Sequence, residues 1–274
     1  MGVAVSSPLK WFGGKGHLAK ELHRYLPQHK CFVDLFGGGG NMTSMKEPSD
    51  VEIFNDIDGD LVNFLLVLRG DPEKLAQAVA TLPYSEELFE KWKWQKGRKS
   101  NFERAVCFFY LNRLAVSAGN NHRSGWSHGG TKANKAREYQ SAVVRLEAFA
   151  KRFQQVEIHN RDYKDVIRLR DSEDTVFYID PPYNGRERRY KGGFRRRDHI
   201  ELAEILRQIK GKAMVSYYPH PLVDELYKNW PRRIEIGSHT FSQVSREEER
   251  PKRTELLFLS WEDPQANIFD WVGN

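Results

Sequence analysis

The sequence predicts an α/β fold, in which a mostly parallel β-sheet is covered by helices on both faces and carries an inserted helical segment. Short β-favouring runs alternate with helical patterns over most of the 274 residues, which is typical of parallel strands joined by crossover helices. Between residues 71 and 153, apolar residues recur at helical spacing without a convincing strand. Glycines and aspartates follow several predicted strands, and open α/β sheets bind ligands at that edge.

The composition is that of a soluble globular protein. Hydrophobic residues make up 39% and charged residues 29% of the chain, and no apolar run approaches the roughly 20 residues of a membrane helix. Lys and Arg outnumber Asp and Glu 43 to 37, which is compatible with a polyanionic partner and also with an ordinary solvated surface. Cys31 and Cys107 form neither a disulfide framework nor a metal-ligand spacing. We therefore expect a cytoplasmic chain without a metal site or a membrane segment.

The first predicted element is a loop that enters a helix. Residues 8–15 read PLKWFGGK, and Leu18 and Leu22 follow at helical spacing. The glycine pair allows the backbone to approach a neighbour closely, with Trp11 and Lys15 on either side. The GxxxxGK[ST] spacing of a phosphate-binding P-loop is absent. This segment is therefore either a tight helix-entry loop or one wall of a ligand site.

Two strands with a glycine turn between them predict a nucleotide-binding unit. Residues 31–36 form a β-favouring run that ends in Gly37–Gly40, and residues 51–56 form a second run that ends in Asp56. In such units the glycines permit close approach of a ligand, and an acid about twenty residues later binds ribose hydroxyls. The alternative is helix capping, in which Asp56 or Asp58 begins the next helix.

The helical stretch contains a polar, glycine-rich loop over residues 118–134. Asn and Arg side chains suit bidentate reading of adenine and guanine edges, so a loop of this composition is able to probe a DNA groove. An ordinary solvated loop is the simpler alternative. The candidate DNA-binding residues in this loop are Asn120, Asn121, His122, Arg123 and Trp126.

An apolar run over residues 175–179 stops at Asp180, Pro181, Pro182 and Tyr183. The two prolines make a rigid turn that presents a carboxylate, carbonyl groups and an aromatic ring together. Such a turn is able to accept hydrogen bonds from the amino group of a base and to stack on the base itself. On these four residues alone, a rigid surface turn is an equally good interpretation.

A basic stretch follows this turn directly. Residues 185–197 contain seven basic side chains and one acidic side chain, with Tyr190 and Phe194 among them. A charge run is usually a solvated face, but aromatic rings between the charges and a position beside the turn favour contact with nucleic-acid phosphates. The candidates are Arg188, Arg189, Lys191, Arg195, Arg196 and Arg197.

The remaining patterns complete the sheet. We predict strands over 156–159, 213–218, 234–236 and 255–259, helices over 199–209 and 222–230, and a mobile charged linker over 246–253. The first of these strands is followed by Asp162, so that a third strand end carries an acid.

Six motifs occur in order over nearly the whole chain: PLKWFGGK, DLFGGGGNM, FNDID, YLNR, YIDPPY and TELLFL. Together they resemble the Dam-type, alpha-group family of adenine-specific DNA methyltransferases. The resemblance implies a Rossmann-like methyltransferase sheet with an inserted, mainly helical target-recognition domain. We place the catalytic domain at 1–60 and 138–274 and the insertion at 61–137, with a hairpin-like loop at about 118–134. The implied reaction is methyl transfer from S-adenosylmethionine to adenine N6 in double-stranded DNA after base flipping.

The resemblance also implies a role for each matching residue. The implied cofactor contacts are Trp11 and Lys15 at the methionine end, Asp34, Phe36, Gly37, Gly38 and Gly39 in the turn, Asp56 at the ribose, Asp162 and Tyr163 at the adenine, and Asp180. In the catalytic turn, Asp180 and Pro181 would bind the target amine, Pro182 would keep the turn rigid, and Tyr183 would stack on the flipped base. Asn112 and Arg113 of the YLNR motif join the implied DNA contacts. Neither a metal ion nor a covalent intermediate is implied.

Several points stay open at this level. Leu35 and four glycines stand where the family often has a proline and a less glycine-rich turn, and the effect on cofactor affinity does not follow from the sequence. Other interpretations are an amino-methyltransferase that acts on cytosine N4, RNA or a protein amide, and a DNA-binding homologue without activity. GATC is the family's commonest target and is the expected recognition site. We expect a bacterial or phage-encoded enzyme, either an orphan or the partner of a restriction nuclease, that is monomeric in solution and able to dimerise on DNA.

Overall fold

The computed structural model of the chain describes residues 4–11, 13–95, 100–116, 124–131, 133–183, 193–239 and 252–262. The strands are β1 Cys31–Asp34, β2 Val51–Asn55, β3 Val156–His159, β4 Thr175–Ile179, β5 Lys212–Tyr217, β6 Arg232–His239 and β7 Lys252–Leu259. They form one seven-stranded sheet in the order β3-β2-β1-β4-β5-β7-β6. β1 to β5 pair in parallel, and β7 lies antiparallel between β5 and β6.

Helices connect the parallel strands. The described helices are α1 Ala19–His23, α2 Asn41–Ser44, α3 Gly59–Gly70, α4 Pro72–Ala80, α5 Glu86–Trp94, α6 Asn101–Leu114, α7 Lys135–Val143, α8 Leu146–Phe153, α9 Tyr163–Arg170, α10 Arg196–Leu206 and α11 Pro221–Tyr227. Local chemistry explains several starts. Ser100 and Glu103 form a capping box before α6, and Asp71 caps α4 with Pro72 in its first turn.

The strands alternate their side chains between two covered faces. On one face, Val33, Phe177 and Val215 share a hydrophobic cluster with residues of α9, α10 and α11. On the other face, Phe32 and Val176 pack with α1 and α2. Because both faces are covered, β4 is buried at every position, as its continuous apolar run predicts. The predicted Rossmann-like sheet with helices on both faces is therefore confirmed.

Helices α3 to α8 pack together and against the sheet. Their hydrophobic cluster includes Phe54 of β2 and Val156 of β3, so this part of the chain shares a core with the edge of the sheet. An isolated antiparallel bridge joins Ala115, before the hairpin-like loop predicted at about 118–134, to Trp126 within it. Residues 117–123 lie outside the described ranges. The boundaries of a separate inserted domain at 61–137 stay a prediction.

The carboxyl-terminal hairpin is longer than its hydrophobic pattern indicates. β6 spans eight residues instead of the predicted three because it pairs with β7 from Arg232 to His239. β7 begins at Lys252, so the last two residues of the predicted mobile linker belong to a strand. Residues 246–251 lie outside the described ranges. Backbone pairing by charged residues has no apolar signature, which is why the sequence pattern misses it. No helix in the described part of the chain is long and apolar enough to cross a membrane.

The strand order places the site. Counting along the sheet, the chain runs outward from β1 through β2 to β3 and then returns to begin the other half at β4. β1 and β4 are neighbours, with Asp34 in register with Tyr178. Their carboxyl ends therefore form a topological switch point, where open α/β sheets bind ligands.

Candidate active site

A cavity of about 410 Å³ lies at the carboxyl ends of β1, β2 and β4. It is lined by every residue that the sequence predicts for the cofactor: Trp11, Lys15, Asp34, Phe36, Gly37, Gly38, Gly39, Asp56, Asp162, Tyr163 and Asp180. Residues from the amino terminus, three strand ends and the Asp-Pro-Pro-Tyr turn are thus brought to one space. Its volume lies within the range of ordinary small-molecule sites, roughly 300–1,000 Å³.

The glycine turn after β1 has no room for side chains. A Cβ atom at Gly37 would lie 2.1 Å from the Phe54 ring, and one at Gly38 would lie 2.4 Å from Nε1 of Trp11. Gly38 also has a φ angle of +51°, which side chains rarely adopt. The turn therefore packs directly against the Trp11 indole, a contact between the two motifs that the sequence did not predict.

Asp56 and Asp58 divide the two roles that the sequence left open. Asp56 accepts hydrogen bonds from the backbone N–H groups of Gly38, at 2.9 Å, and of Asp58, at 2.8 Å. Asp58 caps α3 by accepting from the backbone N–H of Asp60 at 3.0 Å. Capping thus belongs to Asp58, while Asp56 ties the end of β2 to the glycine turn and lies on the cavity.

Asp34 places a buried carboxyl group at the floor of the cavity. Its Oδ2 atom accepts a hydrogen bond from the Thr43 hydroxyl at 2.9 Å. Burial raises the pKa of Asp34 to about 7, and the Thr43 hydrogen bond opposes that shift. The charge of this group therefore changes near neutral pH.

Three aromatic rings form another wall of the cavity. Phe36 lies 5.6 Å from both Tyr163 and Phe194, measured between ring centroids. Beside them, Asp162 caps α9 by accepting from the backbone N–H of Lys164 at 2.9 Å. Phe194 was expected in a phosphate-binding stretch, and the structure places it in the cavity wall instead. Aromatic rings beside an aspartate suit a planar base that carries an amino group.

The carboxylate of Asp180 is engaged by a buried ammonium group. Lys15 Nζ lies 2.8 Å from Oδ1 and 2.7 Å from Oδ2 of Asp180, and 3.2 Å from Oε1 of Glu255. Burial alone would lower the pKa of Lys15, but the two carboxylates outweigh burial and hold this pKa above its ordinary value. Burial raises the pKa of Asp180 and Glu255 adds to the rise, while Lys15 opposes both. Asp180 keeps 16% side-chain exposure, toward the cavity.

Tyr183 points inward in this arrangement. Its hydroxyl lies 2.7 Å from Oδ1 of Asp180 and also accepts a hydrogen bond from Lys15. The residue is 3% exposed, and its ring packs on Tyr218 with 4.4 Å between centroids. Stacking on a flipped base therefore stays a prediction, and it requires the Tyr183 ring to leave these contacts.

Two functional candidates were not identified from the sequence. Glu255 of β7 is buried and reaches Lys15, and Ser216 donates to its Oε1 atom at 2.5 Å. Asn55 joins three strand ends, because its side chain bonds to the backbones of Leu35 and Arg161. The available signals were an acid beside the apolar run of the TELLFL motif and an amide at the end of a buried strand.

The predicted DNA contacts are only partly described. Both polar groups of the Asn112 side chain bond to the backbone of Lys10, at 2.7 and 2.9 Å, so this amide joins α6 to the amino-terminal segment and is not carried into the proposed DNA contacts. Arg113 approaches the carbonyl of Glu138, and the Trp126 ring packs on Tyr84 at 5.7 Å. Arg195 and Arg197 line the cavity, and Arg196 is exposed. The remaining candidates, Asn120, Asn121, His122, Arg123, Arg188, Arg189 and Lys191, lie outside the described residues.

Residues 11–245 match the family model described as D12 class N6 adenine-specific DNA methyltransferase. The chain is 28% identical over 180 residues to the DNA adenine methylase of Escherichia coli strain K12, a match that covers 64% of each chain. It thus spans less than two thirds of that relative. It is 27% identical over 270 residues to a DNA adenine methylase of Vibrio cholerae, covering 92% of this chain and 94% of the relative.

A phage protein is also similar. The DNA N-6-adenine-methyltransferase of Escherichia phage P1 is 25% identical over 259 residues, covering 84% of this chain and 32% of the phage protein. The family model extends from the Trp11 motif through the glycine turn and the Asp-Pro-Pro-Tyr turn, the same elements that meet at the cavity. Because it covers well over half of the sequence, the chain belongs to the D12 class of N6 adenine-specific DNA methyltransferases.

Proposed function

We propose that this chain transfers a methyl group from S-adenosylmethionine to the N6 amine of a flipped adenine in double-stranded DNA. The observation that carries the proposal is the joining of two features at the sheet's switch point. The first feature is a cofactor-sized cavity that extends from the glycine turn to Asp180. The second is the Asp-Pro-Pro-Tyr turn, of which Asp180 is the first residue. Family membership points to adenine N6 as the acceptor.

The cavity residues fit the chemical groups of S-adenosylmethionine. When bound, this cofactor supplies an electrophilic methyl group on a positively charged sulfur. Asp34 and Asp56 offer carboxylates for its amino and hydroxyl groups, and Asp162 lies beside the rings of Tyr163 and Phe194 for its adenine. The four glycines line the same cavity, and because they carry no side chains the turn offers backbone groups to the cofactor.

Asp180 and the Pro181 carbonyl hold the target amine. An adenine amine is a poor nucleophile because its lone pair is delocalised into the ring. Hydrogen bonds from both amine hydrogens to Asp180 and to the carbonyl favour localisation of that pair toward the methyl group. Positioning of the reacting atoms is then the main catalytic contribution. The amine gives up one proton on methylation, and Asp180 is the carboxylate placed to receive it.

The target base must leave the duplex to reach this turn. Flipping costs a few kcal/mol, and stacking on Tyr183, worth on the order of 1–3 kcal/mol, offsets part of that cost. The basic stretch over residues 185–197, which includes the exposed Arg196, supplies phosphate contacts beside the cavity. We expect GATC as the target, a monomer in solution, and recognition by the loop predicted at about 118–134.

Nucleoside analysis tests the reaction. The chain is expressed in a host without DNA methylation, its DNA is digested to nucleosides, and these are separated by liquid chromatography with mass detection. N6-methyladenine is the expected product, and sequencing that detects modified bases then gives the recognition site. N4-methylcytosine would contradict the proposed base, and unmodified DNA together with retained DNA binding would indicate a homologue without activity.

A matched pair of variants tests the amine-binding role of Asp180. Asp180→Ala is expected to lower the methylation rate by on the order of 10²-fold or more, the usual scale for one positioned catalytic group. Asp165→Ala, on the exposed side of α9, removes the same side chain away from the cavity and is expected to keep the rate. Full activity in Asp180→Ala would remove Asp180 from the mechanism.

A further inference from the structure

Glu255 completes a buried charge cluster at the catalytic turn. The side chains of Lys15 and Glu255 are 3% and 2% exposed, and Lys15 Nζ lies between the Glu255 carboxylate at 3.2 Å and the Asp180 carboxylate at 2.7 Å. The Tyr183 hydroxyl lies 3.3 Å from Oε1 of Glu255. The three charged groups carry a net charge of −1, which suits a site that receives a cationic cofactor.

A neighbouring strand fixes the position of the Glu255 side chain. Glu255 is the fourth of the eight residues of β7, which is antiparallel to β5, and Ser216 of β5 donates a hydrogen bond to its Oε1 atom at 2.5 Å. The next four residues of β7 are all buried and apolar. A charged carboxylate in such surroundings is unfavourable unless it is paired, and its cationic partner is Lys15. Glu255 is therefore bound to the same lysine that occupies Asp180.

The observed contacts conflict with the amine-binding role of Asp180. Both of its carboxylate oxygens lie within 2.8 Å of Lys15 Nζ, so the ammonium group competes with an incoming amine for them. If Lys15 left Asp180 without another partner, a buried cation would remain unpaired, which is strongly unfavourable. Glu255 already touches Lys15 and is able to keep it paired.

We propose that Glu255 is a positioning residue that holds Lys15 while Asp180 accepts the target amine. This inference rests on the proposed function. Lys15 is shared between two carboxylates in the resting chain, and the arriving amine shifts it toward Glu255. Glu255 thus acts through Lys15 and does not touch the base. The negative charge of Glu255 is the property that matters, since a neutral side chain would leave Lys15 on Asp180.

Two substitutions separate charge from shape at this position. Glu255→Gln keeps the size and the oxygen that Ser216 binds but removes the charge, whereas Glu255→Asp keeps the charge and shortens the side chain. At saturating DNA and cofactor, we expect the methylation rate constant to fall at least about tenfold in Glu255→Gln and clearly less in Glu255→Asp. If Glu255 only fills space, the order reverses, and that order would overturn the inference.

A double-mutant cycle tests whether Glu255 acts through Lys15. The Glu255→Gln substitution is repeated in a Lys15→Met background, where no ammonium group competes for Asp180. There Glu255 has lost its cationic partner, so the substitution is expected to cause no further loss of rate, and an equal loss in both backgrounds would overturn the inference. Thermal unfolding and binding of S-adenosylhomocysteine are measured for each variant to confirm that it is folded. Absence of N6-methyladenine with the unmodified chain would instead contradict the proposed function itself.

Discussion

Replacing Gly38 with alanine tests the link between the glycine turn and the cofactor site. Gly38 has a φ angle of +51°, and a Cβ atom there would lie 2.4 Å from Nε1 and 2.7 Å from Cδ1 of Trp11. The added methyl group therefore forces both an unfavourable backbone conformation and a displacement of the indole. Gly38 and Trp11 both line the cavity, so the damage is expected in cofactor binding as well as in stability.

The two effects have separate magnitudes. A left-handed conformation costs an ordinary residue about 1–2 kcal/mol, and overpacking costs about 1–3 kcal/mol. Together they predict a loss of about 2–5 kcal/mol in the free energy of unfolding, with a fall in Tm of about 2–4 °C for each kcal/mol. We expect the Kd for S-adenosylmethionine to rise at least about tenfold, which corresponds to about 1.4 kcal/mol.

Calorimetric titration with S-adenosylmethionine and a thermal unfolding curve measure both quantities. Gly70→Ala is the matched control, because Gly70 ends α3 with nothing within 4 Å of its added Cβ atom and with an ordinary φ angle. Alanine there is expected to be neutral or slightly stabilising. If Gly38→Ala and Gly70→Ala gave the same Kd and the same Tm, the role assigned to the turn would be wrong.

Three further predictions concern the pH dependence, the stability and the base contact. Burial raises the pKa of Asp34 to about 7, so the stability that its protonated form contributes is present at acidic pH and lost as the pH rises through about 7. Tm measured from about pH 5 to about pH 8 should show this loss in the unmodified chain, and the loss should be absent in Asp34→Asn. Arg152→Ala removes two bonds to buried Glu52, at 2.6 and 2.8 Å, while Lys46 still pairs with Glu52 at 3.0 Å. Urea unfolding should therefore show a loss of about 1.5–3 kcal/mol with an unchanged cofactor Kd. Tyr183→Ala should raise the KM for DNA about tenfold, the scale of one lost base stack, and leave the cofactor Kd nearly unchanged; the reverse pattern would contradict stacking.

Much of the site was predictable because its residues lie at the ends of parallel strands. Asp34, Asp56 and Asp180 each stand at or just past the end of a strand, and parallel strands bring their carboxyl ends to one edge of the sheet. The order of the motifs then indicated the family, and the family model confirmed it. The sequence did not show whether Asp56 or Asp58 caps α3. The hydrogen bonds of the structure place Asp58 at the cap.

Other residues acquired their roles only from the packing of distant segments. Phe194 belongs by sequence to a basic stretch, yet it closes the wall of the cavity against Phe36. Asn112 has the chemistry of a base-reading side chain, but the backbone of Lys10 uses both of its polar groups. The residue type sets which contacts a side chain is able to make, whereas the packing of the fold decides which partner it contacts.

The amino-acid sequence alone predicted the α/β fold, because strand periodicity and strand-end chemistry are local properties, and its motifs in order indicated the family. It also predicted residues that line the cavity at the strand ends. The tertiary structure decided how the Asp-Pro-Pro-Tyr turn is held. Lys15 lies more than half of the chain away from both Asp180 and Glu255. Glu255 comes near Asp180 and Lys15 because β7 inserts antiparallel beside β5. The register of an apolar strand, and the segments that pack against it, decide whether an acid in that strand meets a lysine or only apolar side chains. Those are properties of the whole sheet, which no local pattern specifies.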